Sequence, residues 1–72
     1  MKEGLVKWFD TKKGYGFIIY DGDEEIFVHF TAIIHDGFKT LFENQKVQFD
    51  IKESTRGLQA SNVIVIEEKD VD

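Results

Sequence analysis

The chain has 72 residues, no cysteine, no proline and a formal net charge of -5. That length allows one domain, which buries only about 60% of the surface its unfolded chain exposes, and without cysteine neither a disulfide framework nor a thiolate metal site can supplement its core. No basic n-region with an apolar stretch opens the chain, and the longest aliphatic run, Val63-Ile64-Val65-Ile66, is far too short to span a bilayer, so a soluble cytoplasmic protein in a reducing setting, with no membrane partner, is expected.

Five β-like segments follow one another with no linker, repeat or low-complexity tract to divide residues 1–72 into more than one domain. Leu5 to Phe9 is the first predicted strand, followed by a lysine-bearing turn, Asp10 to Gly14. Tyr15 to Tyr20 is the second, and Asp21-Gly22-Asp23 turns it back, because Asp-Gly tolerates the positive φ of hairpin turns. Ile26 to Phe30 is the third. The segment Thr31 to Asn44 places Phe30, Ile34, Phe38, Leu41 and Phe42 at helical spacing, but Gly37 in its middle costs about 1 kcal/mol against Ala, so a helical turn at Thr31 to Ile33 and then an irregular loop is predicted. Thr40 to Glu43 matches a capping box, yet no apolar periodic run follows it. The fourth strand, Lys46 to Glu53, sets Val47, Phe49 and Ile51 on one side, and Ser54 to Gly57 turns it into a fifth, Leu58 to Ile66. Five short antiparallel strands with a long connection after the third fit a small closed all-β barrel, of the OB type or the SH3-like type.

The second and third strands carry the functional signal. Side chains alternate with period two, so Tyr15, Phe17, Phe27 and His29 share one face while Gly16, Ile18, Ile26 and Val28 share the other. The aliphatic set packs inward, and a chain this short has no second sheet with which to cover the rings. Glycines at 14 and 16 leave room beside Tyr15 and Phe17. Rings left open to solvent are flat platforms for unstacked bases, each contact contributing roughly 1 to 3 kcal/mol.

The negative total charge argues against a polyanion as partner until its distribution is read. Eight of the 14 acidic residues fall in two clusters, Asp21 to Glu25 and an acidic C-terminal tail at about 67–72. Outside them, and leaving out Lys69, 8 basic residues face 6 acidic ones, and Lys7, Lys12, Lys13, Lys39 and Arg56 lie beside aromatic residues or in loops near them.

Five motifs then stand in one register: KWFD at Lys7 to Asp10, KGYGFI at Lys13 to Ile18, IFVHF at Ile26 to Phe30, GFKTL at Gly37 to Leu41 and RGLQA at Arg56 to Ala60. In order and spacing the chain resembles the bacterial cold-shock proteins over nearly its whole length. The resemblance implies a five-stranded antiparallel OB-fold barrel that binds single-stranded RNA or DNA, with KGYGFI and IFVHF similar to that family's RNP1 and RNP2 signatures. It implies base contacts from Trp8, Phe17, Phe27, His29, Phe30 and Phe38, and an RNA chaperone role at low temperature that modulates transcription termination and translation. The residues themselves add Tyr15 as a further stacking ring, Lys7 and Lys13, which bracket Trp8 and Tyr15, and Lys39 as groups that meet phosphates, and Arg56 in either role, since a guanidinium stacks as well as pairs. Asp10 stands where the family often has Asn, and Leu58 where it usually has Pro.

Other readings carry less. Two histidines, His29 and His35, with no cysteine form no zinc set, and Asp21 to Glu25 lacks the glycine of a calcium loop, having Ile26 in its place. No nucleophile-elbow or phosphate-loop spacing supports catalysis or a nucleotide cofactor. An RRM requires a helix between its first two strands, where this chain has only Asp10 to Gly14. Phe9, Phe42 and Phe49 are assigned to packing. The competing function is an SH3-like module whose aromatic groove takes an extended peptide. The expected state is a monomer with no metal, no cofactor and no small-molecule substrate.

Overall fold

The alternating segments form β1 (Lys2–Asp10), β2 (Tyr15–Tyr20), β3 (Glu24–His29), β4 (Lys46–Ser54) and β5 (Gly57–Glu67), with one 3-10 turn, Phe30–Ala32, after β3. The computed structural model describes residues 1–35, 37 and 39–67, the last through its backbone alone; Phe38 and the rest of the expected acidic tail lie outside the described residues.

The strands close into a barrel in the order β1-β2-β3-β5-β4, the OB-type architecture expected. Pairing is mostly antiparallel, and the all-antiparallel expectation is corrected at one seam: β3 and β5 run parallel, meeting at Phe27 and Gln59. Each strand turns its alternate aliphatic residues inward. Val6, Ile18, Ile26, Val28, Val47, Phe49, Ala60 and Val63 form one core with Ile33 and Leu41 from the connecting segments, all at most 3% exposed. Closing the sheet pairs most of its strand edges and gives a short chain one shared interior.

Several expectations shift at element ends. The predicted third strand stops at His29, because the Phe30 N–H goes to the Gly14 carbonyl (2.8 Å) and the His29 ring accepts the Thr31 N–H, capping the 3-10 turn. Asp21 and Gly22 both adopt positive φ, 49° and 89°, as the β2–β3 turn demands. The discounted match at Thr40 to Glu43 forms no helix. Phe42, expected to pack, is 63% exposed; its N–H is held by the Gln45 Oε1 atom at 2.8 Å, which fixes the backbone of this turn while the ring projects outward. Ile51 is also partly exposed, because β4 and β5 stay paired out to Ser54 and Gly57 whereas β1 leaves β4 at Phe49.

Candidate functional site

One irregularity in β1 builds the outer face. Val6 pairs with Ile18, but Trp8 pairs with Phe17, so Lys7 is an extra residue in the ladder. Strict alternation from the buried Val6 would send Trp8 into the core. The bulge resets the phase, so that Lys7 and Trp8 both face outward and Phe9 turns in against the core, the re-aiming that bulges commonly perform. Gly16 makes this possible. A Cβ there would overlap the Trp8 carbonyl oxygen and stand 2.7 Å from the Phe9 Cα, so the space is filled by the β1 backbone instead of clearing the platform as the sequence suggested.

Cross-strand register then arranges the outer side chains in rows. Trp8, Phe17 and Phe27 form one; Asp10, Tyr15 and His29 form the next. Trp8 lies 5.5 Å from Phe17 and 5.9 Å from Tyr15, ring centre to ring centre. Phe27 sits 5.8 Å from Phe17 and 5.7 Å from Tyr15, and the array continues through His29 to Phe30, whose rings are 4.7 Å apart. These are the separations at which tilted and edge-to-face ring pairs attract. Mutual contact leaves Tyr15, Phe17 and Phe27 half-buried with their outer sides open, while Trp8 and Phe30 are 38% and 41% exposed. Phe30 rests on Gly14, which has φ of 81° and whose absent Cβ would come within 2.7 Å of the ring.

Polar groups around the rings are unevenly committed. The His29 Nδ1 atom accepts the Thr31 backbone N–H (3.4 Å) and lies 3.0 Å from the Thr31 hydroxyl. A backbone amide can only donate, so the neutral ring carries its proton on Nε2. Lys7 is paired with Glu25 at 2.8 Å, an exposed ion pair of the kind that contributes little, so its ammonium is shared with a carboxylate beside Trp8. Lys12, Lys13, Lys39 and Arg56 have no ion-pair partner among the described residues. Lys12, Lys13 and Lys39 join Thr11, Gly14, Gly37 and Phe30 around a cleft of about 500 Å³, where the Thr11 and Thr40 hydroxyls, 3.0 Å apart, tie the β1–β2 turn to the long loop. Arg56 lines a second cleft of about 320 Å³ with Phe17, Phe27, Leu58 and Gln59. Asp10 uses its Oδ1 atom to hold the turn, accepting the N–H groups of Lys12 (2.9 Å) and Lys13 (3.0 Å).

Of the residues singled out from sequence, Lys7, Trp8, Asp10, Lys13, Tyr15, Phe17, Phe27, His29, Phe30, Lys39 and Arg56 are thus on or beside one face. Phe38 lies outside the described residues. Glu25 and Gln59 were missed. Period two places Glu25 on the ring face, two residues before Phe27, and that signal was available. Gln59 extends the Trp8 row only through the parallel seam with β3, which no local pattern announces. The described residues contain no group of three or more His, Cys, Asp or Glu that could hold a metal ion, and no helix long and apolar enough to cross a membrane.

Elsewhere, Asp21 raises the Lys2 ammonium above its ordinary range through a hydrogen bond and its charge. Such an exposed pair contributes little to stability.

The Lys7–Glu25 pair gives a first expected result. Glu25→Gln frees the ammonium beside Trp8, so affinity for a polyanion rises roughly two- to fivefold at low salt, the scale of one exposed ion pair. The slope of log K against log salt steepens by up to about 0.7, one phosphate contact on a single strand. Titrations at three salt concentrations check both, and an unchanged slope means Lys7 makes no phosphate contact.

Comparison with known proteins agrees with this geometry. The chain is 53% identical to cold shock protein CspA of Staphylococcus haemolyticus over 64 residues, 89% of this chain and 97% of that protein. It is 56% identical to cold shock protein CspD of Bacillus subtilis over the same shares of the two lengths. In structure it is similar to the drosophila Unr CSD456 chain, with a TM-score of 0.75 over 99% of this chain and 29% of that one; at 21% identity this likeness concerns the fold. The family model of the 'Cold-shock' DNA-binding domain matches residues 2–66, and the chain, with its closed barrel and outward ring array, belongs to that family.

Proposed function

We propose that the protein binds single-stranded RNA or DNA by stacking unpaired bases on the outer face of β1, β2 and β3, with Lys13, Lys39 and Arg56 near phosphates. The observation that carries this reading is the unbroken ring array from Trp8 to Phe30 on the side of the sheet away from the core. Base-on-ring contacts contribute roughly 1 to 3 kcal/mol each, so a few of them outweigh the modest Coulombic cost of an acidic chain. Of the acids in the β2–β3 turn region, Glu25 is paired with Lys7 and Asp21 with Lys2, which offsets part of their charge.

On this reading the protein is a monomeric cytoplasmic RNA chaperone and not an enzyme. It traps strands once they are unpaired, and by mass action on the open state it loosens RNA structure without ATP. That chemistry would serve transcription termination or translation equally.

Trp8 reports binding directly. Adding oligothymidine is expected to quench its emission with saturation at micromolar concentration or below, and the fall of log K with log salt should be gentle, since only about two to four phosphate contacts at roughly 0.7 each are available. A slope steeper than about -6 would place electrostatics above stacking. An emission unchanged by any oligonucleotide would remove the reading and favour an extended peptide as the ligand of the groove.

A further inference from the structure

Asp10 stands at the corner of the outer grid that carries no ring. It ends the row Asp10, Tyr15, His29 and lies two residues along β1 from Trp8. Neighbouring strands are about 4.8 Å apart, so its carboxylate borders the stacking surface. The two oxygens have different duties. Oδ1 accepts the N–H groups of Lys12 and Lys13, which anchors the side chain and fixes its orientation. Oδ2 has no hydrogen-bond partner among the described residues, and a carboxylate oxygen only accepts.

The geometry points to Asp10 as a specificity-determining residue that favours cytosine over thymine or uracil at this edge of the platform; the inference rests on the base-stacking reading above. A cytosine lying on Tyr15 or Trp8 offers its exocyclic N4 amino group to Oδ2. Thymine and uracil carry the O4 carbonyl at the same place, which meets Oδ2 acceptor against acceptor. The ring surface itself is indifferent to this difference, since every base has a stacking face, so selection between pyrimidines falls to anchored polar groups at the border. Lys12 and Lys13, whose amides hold Oδ1, keep positive charge nearby and offset the repulsion between this carboxylate and the phosphates of the strand.

Asp10→Asn changes one atom of the argument. The amide oxygen can keep both turn hydrogen bonds, while the NH2 group turns the free acceptor into a donor. The test titrates Trp8 emission with a short oligothymidine and with a series in which a single cytosine replaces each thymine in turn, on both proteins, with thermal melting to confirm that the variant is folded. The wild-type chain is expected to bind tighter with cytosine at one position by about three- to tenfold, the size of one base-edge contact. In Asp10→Asn the preference at that position should vanish or reverse, with the other positions unmoved. A flat wild-type series overturns the inference without recourse to the variant, as does a cytosine preference that survives in Asp10→Asn. If no oligomer binds at all, the nucleic-acid reading itself falls.

Discussion

Replacing Phe17 or Phe27 with Ala should cost roughly 1 to 3 kcal/mol of binding to single-stranded oligonucleotides, about 5- to 150-fold in affinity, while the domain stays folded. Each ring is central to the array: Phe17 touches Trp8 and Phe27, and Phe27 touches Phe17, Tyr15 and His29. Their removal interrupts the platform in the middle. The ring pairs also support one another, so some stability is lost, at about 0.5 to 1.5 kcal/mol per pair. The contrast is Phe49, fully buried and in edge contact with Tyr20, where Phe→Ala opens a core cavity at about 3 to 5 kcal/mol. Urea titration and oligonucleotide titration of the three variants separate the classes. If Phe17→Ala or Phe27→Ala unfolds the domain as Phe49→Ala does, while the wild type binds no oligonucleotide, the rings belong to packing.

Gly16→Ala carries the largest expected loss of stability from a single methyl group. The added carbon meets backbone, the Trp8 carbonyl and the Phe9 Cα, and neither can rotate away. Overpacking of well-filled sites ordinarily costs about 1 to 3 kcal/mol, and an obstruction made of main-chain atoms lies at or beyond the upper end. Because β1 and β2 must separate to admit it, the Lys7 bulge should distort and Trp8 lose its place over Phe17. Chemical denaturation should show a large fall in midpoint, and Trp8 emission in the native baseline should shift. Gly22→Ala is the control, with nothing within 4 Å of its Cβ, so that only the backbone penalty of positive φ remains, on the order of 1 kcal/mol. Equal effects from the two would mean that the close approach at Gly16 relaxes freely.

The strands were legible because their period of two is strong and Asp21-Gly22 and Gly57 mark their turns. So was the division of β2 and β3 into aliphatic and aromatic faces. Trp8 was placed by resemblance only, since the alternation of Leu5 to Phe9 puts it on the side of Val6, and a bulge leaves no trace in the pattern of one strand. Phe42 and Phe49 look alike in sequence; what separates them is that one lies in a turn held from beneath by Gln45 and the other in the middle of β4. The Lys7–Glu25 pair joins residues 18 positions apart, brought together by the register of β1 on β2 and of β2 on β3, which the pattern of one strand does not announce. The parallel seam of β3 with β5 depends on how the barrel closes, and closure is a property of all five strands together.

That seam also sets when the protein can work. Every described ring of the platform comes from the first 30 residues, a meander of neighbouring strands whose contacts are short-range and quick to form. The inward aliphatic residues of that meander are covered by Val47, Phe49 and Val63, which a ribosome delivers only later, and until then they face water at about 25 cal/mol for each Å² of apolar surface left exposed. A chain halted before β4 therefore carries these rings without the interior that backs them, and the proposed site is complete only when the last strand has closed the barrel.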